Sequence, residues 1–83
     1  MTTQTYQSPI RVYGRSDCPD TQLALRVLDD MKRAYEWIDL DQDPGRWAEA
    51  LAANGNVRKV PTVVLPGGSV FIEPDEETLR SVR

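Results

Sequence analysis

The chain has 83 residues, among them one cysteine and no histidine, and its 13 acidic and 10 basic side chains give a net charge of −3. This length allows one small domain, and a hydrophobic fraction of 40% is enough to form a core. One cysteine excludes an intramolecular disulfide and, without histidine, leaves no thiolate or imidazole set for a metal ion. The acidic balance argues against nucleic-acid binding, and no apolar stretch approaches the roughly 20 residues that cross a bilayer.

The polar N-terminal residues 1–8 predict a flexible lead-in to a single domain that spans residues 9–83. This lead-in lacks the charged and apolar regions of a secretory signal. A free thiol suits a reducing compartment better than an oxidising one. We therefore expect a cytoplasmic protein that is monomeric and has no nucleic-acid or membrane partner.

The first half of the chain predicts two strands that flank a long helix. Residues 10–13 are rich in β-branched and aromatic side chains, which indicates a strand. Residues 19–35 place their apolar side chains on one helical stripe, which predicts a core-facing helix of about four turns. The stripe consists of Leu23, Val27, Leu28, Met31 and Tyr35. Residues 36–40 predict the second strand.

A second helix is predicted to follow. Asp43 is suited to cap it and Pro44 to be its first residue, and the pair Asn54-Gly55 indicates where it ends. Its apolar face is predicted to contain Trp47, Ala48, Leu51 and Ala52.

The last third of the chain predicts a hairpin and a short helix. Residues 61–65 and 70–72 favour strands, and the Pro-Gly-Gly-Ser turn 66–69 joins them. Residues 74–82 then favour a short helix. The predicted order is β-α-β-α-β-β-α, with the first two strands parallel through a right-handed crossover and the last two antiparallel.

Cys18 stands between the first strand and the first helix, where unpaired backbone N–H groups favour an anion. The thiolate is the reactive form of cysteine, and such positions can lower a thiol pKa of ~8.5 to roughly 3.5–7.5. Pro19 fits the first helical position because its missing N–H would be unpaired there. A small buried apolar thiol is the alternative interpretation, and the strand–Cys–Pro–helix context favours the reactive one.

Three motifs resemble the glutaredoxin family of the thioredoxin-fold superfamily. The first is Arg15-x-x-Cys18-Pro19-x-Thr21 after a strand, and the second is the run from Arg58 through Val60-Pro61-Thr-Val. The third is the terminal hairpin with its two glycines and the helix after it. Within the family, the loop at residues 54–58 and the end of the chain are similar to the mycoredoxin-like branch.

The resemblance implies an α/β thioredoxin fold, in which three helices flank a four-stranded mixed sheet. It also implies a cis peptide bond before Pro61, which brings Val60 beside Cys18, where the Val60 backbone would pair with a glutathione-like thiol. Arg15 and Arg58 would face the carboxylates of that thiol through charge-assisted bonds. Ordinary surface charge is the alternative interpretation of both arginines.

The chain departs from the family at Thr21, which replaces the second cysteine of the dithiol motif. Cys18 can then form a mixed disulfide but needs another thiol to release it, which favours a monothiol mechanism. The Thr21 hydroxyl is predicted either to donate to the thiolate or to satisfy its own helix turn. Asp17 and Asp20 disfavour a nearby thiolate by like charge, and Arg15 offsets them in part.

A second departure lies after the last strand, where the family has a Gly-Gly pair that leads into the helix holding a thiol carboxylate. Here the chain has Glu73 and Pro74, which add a charge and remove an N–H donor. Asp75 is the remaining candidate for this part of the thiol groove. The cosubstrate is therefore expected to be glutathione or another low-molecular-weight thiol such as mycothiol, with no tightly bound cofactor.

The sequence thus predicts a thiol-disulfide oxidoreductase that acts on protein mixed disulfides with a small thiol through Cys18. Two other classes stay open. One is a redox-inert binding module that keeps the same groove, and the other is a carrier of a [2Fe–2S] cluster. The carrier is disfavoured because Pro19 and Asp20 replace the Gly-Phe of the cluster-binding Cys-Gly-Phe-Ser motif.

Overall fold

The computed structural model describes residues 9–82, so the predicted lead-in at residues 1–8 lies outside the described part of the chain. The elements follow the predicted order β-α-β-α-β-β-α, which is confirmed. Their bounds are β1 Ile10–Gly14, α1 Pro19–Asp30, β2 Tyr35–Asp39, a 3-10 turn Pro44–Arg46, α2 Trp47–Asn54, β3 Thr62–Val64, β4 Val70–Ile72 and α3 Glu76–Arg80. No helix within residues 9–82 is long and apolar enough to cross a membrane.

The four strands form one mixed sheet in the order β2-β1-β3-β4. β1 pairs with β2 in parallel, whereas β3 pairs antiparallel with both β1 and β4. Successive side chains of β1 point to opposite faces of the sheet. Val12 therefore packs in one buried cluster with α1 and α3, and Tyr13 packs in a second cluster with α2. The central strand is covered on both faces, so its end is a rigid support for the loop that follows.

The first helix is shorter than predicted: it ends at Asp30, whereas the prediction continued it to Tyr35. Lys32 adopts a left-handed conformation with φ of 58°, and its N–H donates to the carbonyl of Asp29 at 3.0 Å. The N–H of Arg33 donates to the carbonyl of Leu28 at 3.0 Å, which completes a Schellman ending. Glycine usually occupies this position, so a lysine there gives no sign in the sequence that the helix ends. Tyr35 consequently begins β2.

The second helix starts later and turns a different face to the core than predicted. Residues 44–46 form a 3-10 turn, and the Asp43 side chain makes no capping bond. A 3-10 turn has 3.0 residues per turn rather than 3.6, so it shifts the phase of the face that follows. Ala50 is the buried residue of α2, while Ala48 and Ala52 are exposed.

Smaller differences affect four other elements. β1 continues to Gly14, one residue beyond the predicted range 10–13. β2 spans residues 35–39 rather than 36–40, and β3 spans 62–64 rather than 61–65. Pro61 has no N–H to contribute to the ladder, which explains the later start of β3. α3 begins at Glu76 and ends at Arg80, inside the predicted range 74–82.

A polar network ties α2 to the sheet beneath it. The hydroxyl of the fully buried Tyr13 donates to Glu49 at 2.9 Å, and Arg11 donates to the same hydroxyl at 2.9 Å. Arg46 donates to Glu49 at 2.9 and 3.0 Å and to Glu36 at 3.2 Å. The bonds from Arg46, and then the bond from Tyr13, lower the pKa of Glu49. Burial, and then the bond to Glu49, raise the pKa of Tyr13.

Glu49→Gln is expected to lower the free energy of unfolding near pH 7 by no more than about 1 kcal/mol, the range for solvent-exposed ion pairs. Glutamine keeps an acceptor for Tyr13 but loses the charge that Arg46 binds. Because folding lowers the Glu49 pKa, the carboxylate stabilises the fold above its unfolded pKa, and this contribution disappears as pH falls through the lower folded value. Urea unfolding near pH 7 and near pH 3 measures the effect. We expect the difference between wild type and variant to shrink at acid pH, and an equal difference at both would contradict it.

Candidate active site

Cys18 lies at the start of α1, where the chain leaves the central strand. It is the N-cap residue of the helix, with φ of −89° and ψ of 121°, and Pro19 follows in the first turn. Its N–H donates to the carbonyl of Arg15 at 3.1 Å, and its carbonyl accepts from Gln22 at 2.9 Å. The thiol is free and half-buried. Backbone bonds thus hold Cys18 at a helix N-terminus, the end that stabilises negative charge.

Thr21 is fully buried directly beneath this turn. Its Oγ1 accepts from the backbone N–H of Arg15 at 3.4 Å, a long bond. A Cβ atom added to Gly14 would stand only 2.6 Å from both Oγ1 and Cγ2 of Thr21. Within residues 9–82 the hydroxyl makes no hydrogen bond to Cys18, so its observed contacts join the end of β1 to the first turn of α1. Accepting from Arg15 leaves the hydroxyl proton available to a further acceptor.

Arg15 is turned toward acidic neighbours. Its Nε lies 3.1 and 3.3 Å from the two carboxylate oxygens of Asp41 and 3.9 Å from Asp17. The bonds to Asp41 come first among the causes that raise the pKa of Arg15. Asp41 reaches this position because β2 ends beside β1, where the N–H of Leu40 donates to the carbonyl of Gly14 at 2.8 Å. The charge of Arg15 is therefore partly neutralised within the protein.

Strand pairing brings the segment around Pro61 to the same end of the sheet. β1 and β3 are antiparallel with Tyr13 opposite Thr62, so the next step along each strand sets Gly14 opposite Pro61. The loop that carries Cys18 therefore leaves the sheet beside Val60. The peptide bond between Val60 and Pro61 is cis, and Pro61 is buried. Within residues 9–82 neither the N–H nor the carbonyl of Val60 has a hydrogen-bond partner, which leaves both groups for a ligand.

The side chain of Asn54 braces the loop that precedes Pro61. Its Nδ2 donates to the carbonyl of Val57 at 2.7 Å and to Oγ1 of Thr62 at 2.9 Å, while its Oδ1 accepts from the N–H of Val57 at 2.9 Å. The Thr62 hydroxyl in turn donates to the carbonyl of Lys59 at 3.2 Å. One carboxamide thus connects the end of α2, the loop and the start of β3.

Asn54→Ala is expected to lower the free energy of unfolding by about 1–3 kcal/mol, because it leaves partly buried backbone groups of Val57 and the Thr62 hydroxyl without their partner. Amide hydrogen exchange reads the local effect directly. We expect faster exchange at Val57 than in wild type, with a smaller change at Val12 in the central strand. Asn54→Ser, which retains a short polar group, serves as the intermediate variant. Unchanged protection of Val57 in Asn54→Ala would show that the loop is held by other contacts.

The other predicted groove residues occupy the surroundings of this segment. The guanidinium of Arg58 stacks over the ring of Trp47, with 4.7 Å between the guanidinium carbon and the ring centroid. The carboxylate of Asp75 accepts from the N–H of Thr78 at 2.8 Å and caps α3, and the backbone part of this interaction is the main cause that lowers the Asp75 pKa. Arg58 is thus held on α2, and Asp75 occupies the N-terminus of its own helix.

Glu73 directly follows β4 and contacts the segment that contains Lys59 and Pro61. Its N–H donates to the carbonyl of Pro61 at 2.8 Å, and its carboxylate lies 3.9 Å from Nζ of Lys59. Its φ of 50° is in the left-handed region. The sequence showed that Glu73 departs from the family's glycine, but the contacts to Lys59 and Pro61 follow only from the structure.

The structure thus brings Cys18, Pro19 and Thr21 together at one turn and sets Val60 and Pro61 beside it through strand pairing. Gly14, Asp41 and Asn54 are site components that the sequence did not single out. Asn54 had a signal, since its pair with Gly55 marked the end of α2, but that pattern does not show where the side chain bonds. Neither Gly14 nor Asp41 had a comparable signal in the sequence.

An open groove of about 530 Å³ runs between α1 and α3 on another part of the surface. The described residues that line it include Val27, Asp30 and Arg80, and none of them carries a thiol or a hydroxyl group. Arg80 and Asp30 form an ion pair at 3.0 Å there. Within residues 9–82 no group of three or more His, Cys, Asp or Glu side chains is arranged to hold a metal ion.

Comparison with known proteins adds to this geometry. The family model described as glutaredoxin matches residues 10–71. The solved structure of a glutaredoxin (grx-1) from Archaeoglobus fulgidus is 26% identical, with 88% of this chain and 83% of that chain covered and a TM-score of 0.75. The glutaredoxin-like protein NrdH-redoxin from Escherichia coli is 27% identical, with coverages of 89% and 93% and a TM-score of 0.72. The thioredoxin-like protein BC3987 is 30% identical, with coverages of 86% and 94% and a TM-score of 0.70. No curated protein sequence matches the chain significantly.

Proposed function

The chain belongs to the glutaredoxin family and has the thioredoxin fold, and on this premise we propose that it is a monothiol thiol-disulfide oxidoreductase whose nucleophile is Cys18. The observation that carries the proposal is the position of the only cysteine. Cys18 is the half-buried N-cap residue of α1, next to the segment that holds the cis Val60–Pro61 bond, and a buried Thr21 stands where a second thiol would be.

The reaction has two exchange steps. The Cys18 thiolate attacks the small-thiol sulfur of a protein mixed disulfide; the old S–S bond breaks, a new one forms to Cys18, and the protein leaves as a thiolate. A second molecule of the small thiol then attacks the adduct, which regenerates Cys18 and releases the small thiol as its disulfide. The protein substrate gains the two electrons that the two small thiols lose. Glutathione and mycothiol are the candidate thiols.

Several groups of the site support this chemistry. Cys18 stands at the N-terminus of α1, the end of a helix that attracts negative charge. The N–H and carbonyl of Val60, which have no hydrogen-bond partner within residues 9–82, suit the backbone of a cysteine-containing small thiol. Stacking over Trp47 leaves the guanidinium edges of Arg58 available to a carboxylate. Val60, Pro61 and Arg58 would thus bind the small thiol, with Arg15 and Asp75 at the ends of the groove.

A single-turnover experiment tests the proposal. Reduced protein is mixed with a peptide whose cysteine carries glutathione, and intact mass follows the protein while chromatography follows the released peptide. We expect one small thiol per chain, attached at Cys18, and its removal when excess small thiol is added. Peptide release no faster than in the absence of the protein would overturn the proposal and favour the redox-inert binding module.

A further inference from the structure

Glu73 has a backbone conformation that glycine would adopt far more readily. Left-handed φ values are uncommon for residues with a side chain, and such outliers cluster at functional sites. Here the φ of 50° is held by the bond from the Glu73 N–H to the carbonyl of Pro61 at 2.8 Å. The carboxylate extends to within 3.9 Å of Lys59. A charged side chain is thus held beside Lys59, next to the segment that strand pairing sets beside the end of β1, at a position where glycine would be the easier choice.

Two of the three positive side chains near Cys18 are paired with carboxylates of the protein. Arg15 is paired with Asp41, and Lys59 with Glu73. Arg58 stacks on Trp47 and forms no ion pair within residues 9–82. The acidic residues of the surrounding loops and helix starts outnumber these three. They are Asp17, Asp20, Asp41, Glu73 and Asp75.

The sheet order determines which residues a thiol bound to Cys18 would meet. Cys18 follows β1, the cis Val60–Pro61 bond precedes β3, and Glu73 follows β4, in neighbouring order across the sheet. Adjacent strands are about 4.8 Å apart, so Glu73 is about 10 Å across the sheet from the end of β1. An extended tripeptide covers about this distance, at roughly 3.3–3.6 Å per residue. A small thiol of tripeptide size that lies over Val60 therefore ends against Glu73.

We propose that Glu73 is a specificity-determining residue, which disfavours small thiols that present a carboxylate to this end of the groove and favours uncharged or cationic ones. The inference rests on the proposed function, since it names the class of thiol that Cys18 accepts. The carboxylate acts in two ways that add. It repels a like charge on the thiol, and it occupies Lys59, which would otherwise attract that charge.

The test compares two thiols of the same size and different charge with a third that is shorter. One neutral cysteine peptide is prepared as three mixed disulfides: with glutathione, with glutathione whose two carboxyl groups are amides, and with 2-mercaptoethanol, which is too short to reach Glu73. Rates of transfer to Cys18 are measured for wild type and Glu73→Gln. The ratio of variant to wild type is taken for each disulfide, so that the intrinsic reactivity of each thiol cancels.

We expect Glu73→Gln to raise the rate with glutathione about fivefold, the effect of one unit charge at about 4 Å in water. The rate with the amidated thiol is expected to fall, and the rate with 2-mercaptoethanol to stay within about twofold. Glu73→Gly, which also relieves the left-handed backbone, is expected to show the same order of rates. Asp30→Asn is the matched control. It removes a negative charge about 18 Å along α1 from Cys18, beyond the screening length of roughly 10 Å at 0.1 M salt.

Equal ratios for glutathione and its amidated form would overturn the inference while leaving the proposed function intact. Equal shifts in Asp30→Asn would overturn it too, because they would show that net charge and not the Glu73 position decides. Transfer from none of the three disulfides, 2-mercaptoethanol included, would refute the proposed function and the inference with it.

Discussion

Cys18→Ser is expected to abolish transfer of a small thiol to the protein without loss of stability. No other thiol exists in the chain, and a serine hydroxyl without an adjacent base is a poor nucleophile. The fold should not suffer, because residue 18 is the N-cap of α1 and its cysteine makes no side-chain capping bond. Serine is among the preferred N-cap residues, since its oxygen accepts from an N–H of the first turn. The variant is thus expected to lose its activity and to keep its stability.

The measurement combines the peptide-release assay with urea unfolding. Cys18→Ser should release peptide at the protein-free rate and unfold at the same urea concentration as wild type or at a higher one. Cys18→Ala, which lacks the capping oxygen, should show the same loss of activity. Measurable transfer by either variant would show that Cys18 is not the nucleophile.

Gly14→Ala is expected to have the largest effect on stability of any single methyl addition at the site. The new Cβ would lie 2.6 Å from two side-chain atoms of Thr21, which is fully buried and has no room to move away. Overpacking of this kind costs about 1–3 kcal/mol. In a domain of this size each 1 kcal/mol lowers Tm by roughly 4–8 °C. Since Thr21 is in the first turn of α1, relief of the clash would displace Cys18, and thiol transfer should slow as well.

A second substitution tests this explanation. Thr21→Ala removes both atoms at 2.6 Å and leaves only the Thr21 Cβ at 3.2 Å, so Gly14→Ala/Thr21→Ala should be less destabilised than the sum of the two single variants. Gly67→Ala is the control, because nothing lies within 4 Å of its added Cβ, and we expect its stability to remain within about 0.5 kcal/mol of wild type. Additive effects in the double variant would show that Gly14 and Thr21 are not in steric contact.

Much of the fold could be predicted because it depends on local chemistry. The β-branched run of β1, the Pro-Gly-Gly-Ser turn and the apolar stripe of α1 each produce their element through nearby residues. The same holds for Cys18 at the helix N-terminus, where Pro19 after a strand end is sufficient evidence. Where the local cue was absent the prediction was wrong. Lys32 ends α1 in a conformation that sequence associates with glycine, and the 3-10 turn before α2 rotates Ala50 rather than Ala48 into the core.

By itself the sequence determined the element order, the position of the single thiol at a helix start and the lack of a second thiol, because these depend on residue identity and on neighbours along the chain. Only the tertiary structure decided which groups surround Cys18. The contact of Gly14 with Thr21, the pairing of Arg15 with Asp41 and the position of Glu73 beside Pro61 all join segments distant in sequence. Their geometry depends on strand register and on the close approach of α1 to β1. Such contacts depend on steric fit and charge pairing between residues that are far apart in the chain, and a local sequence pattern does not contain this information.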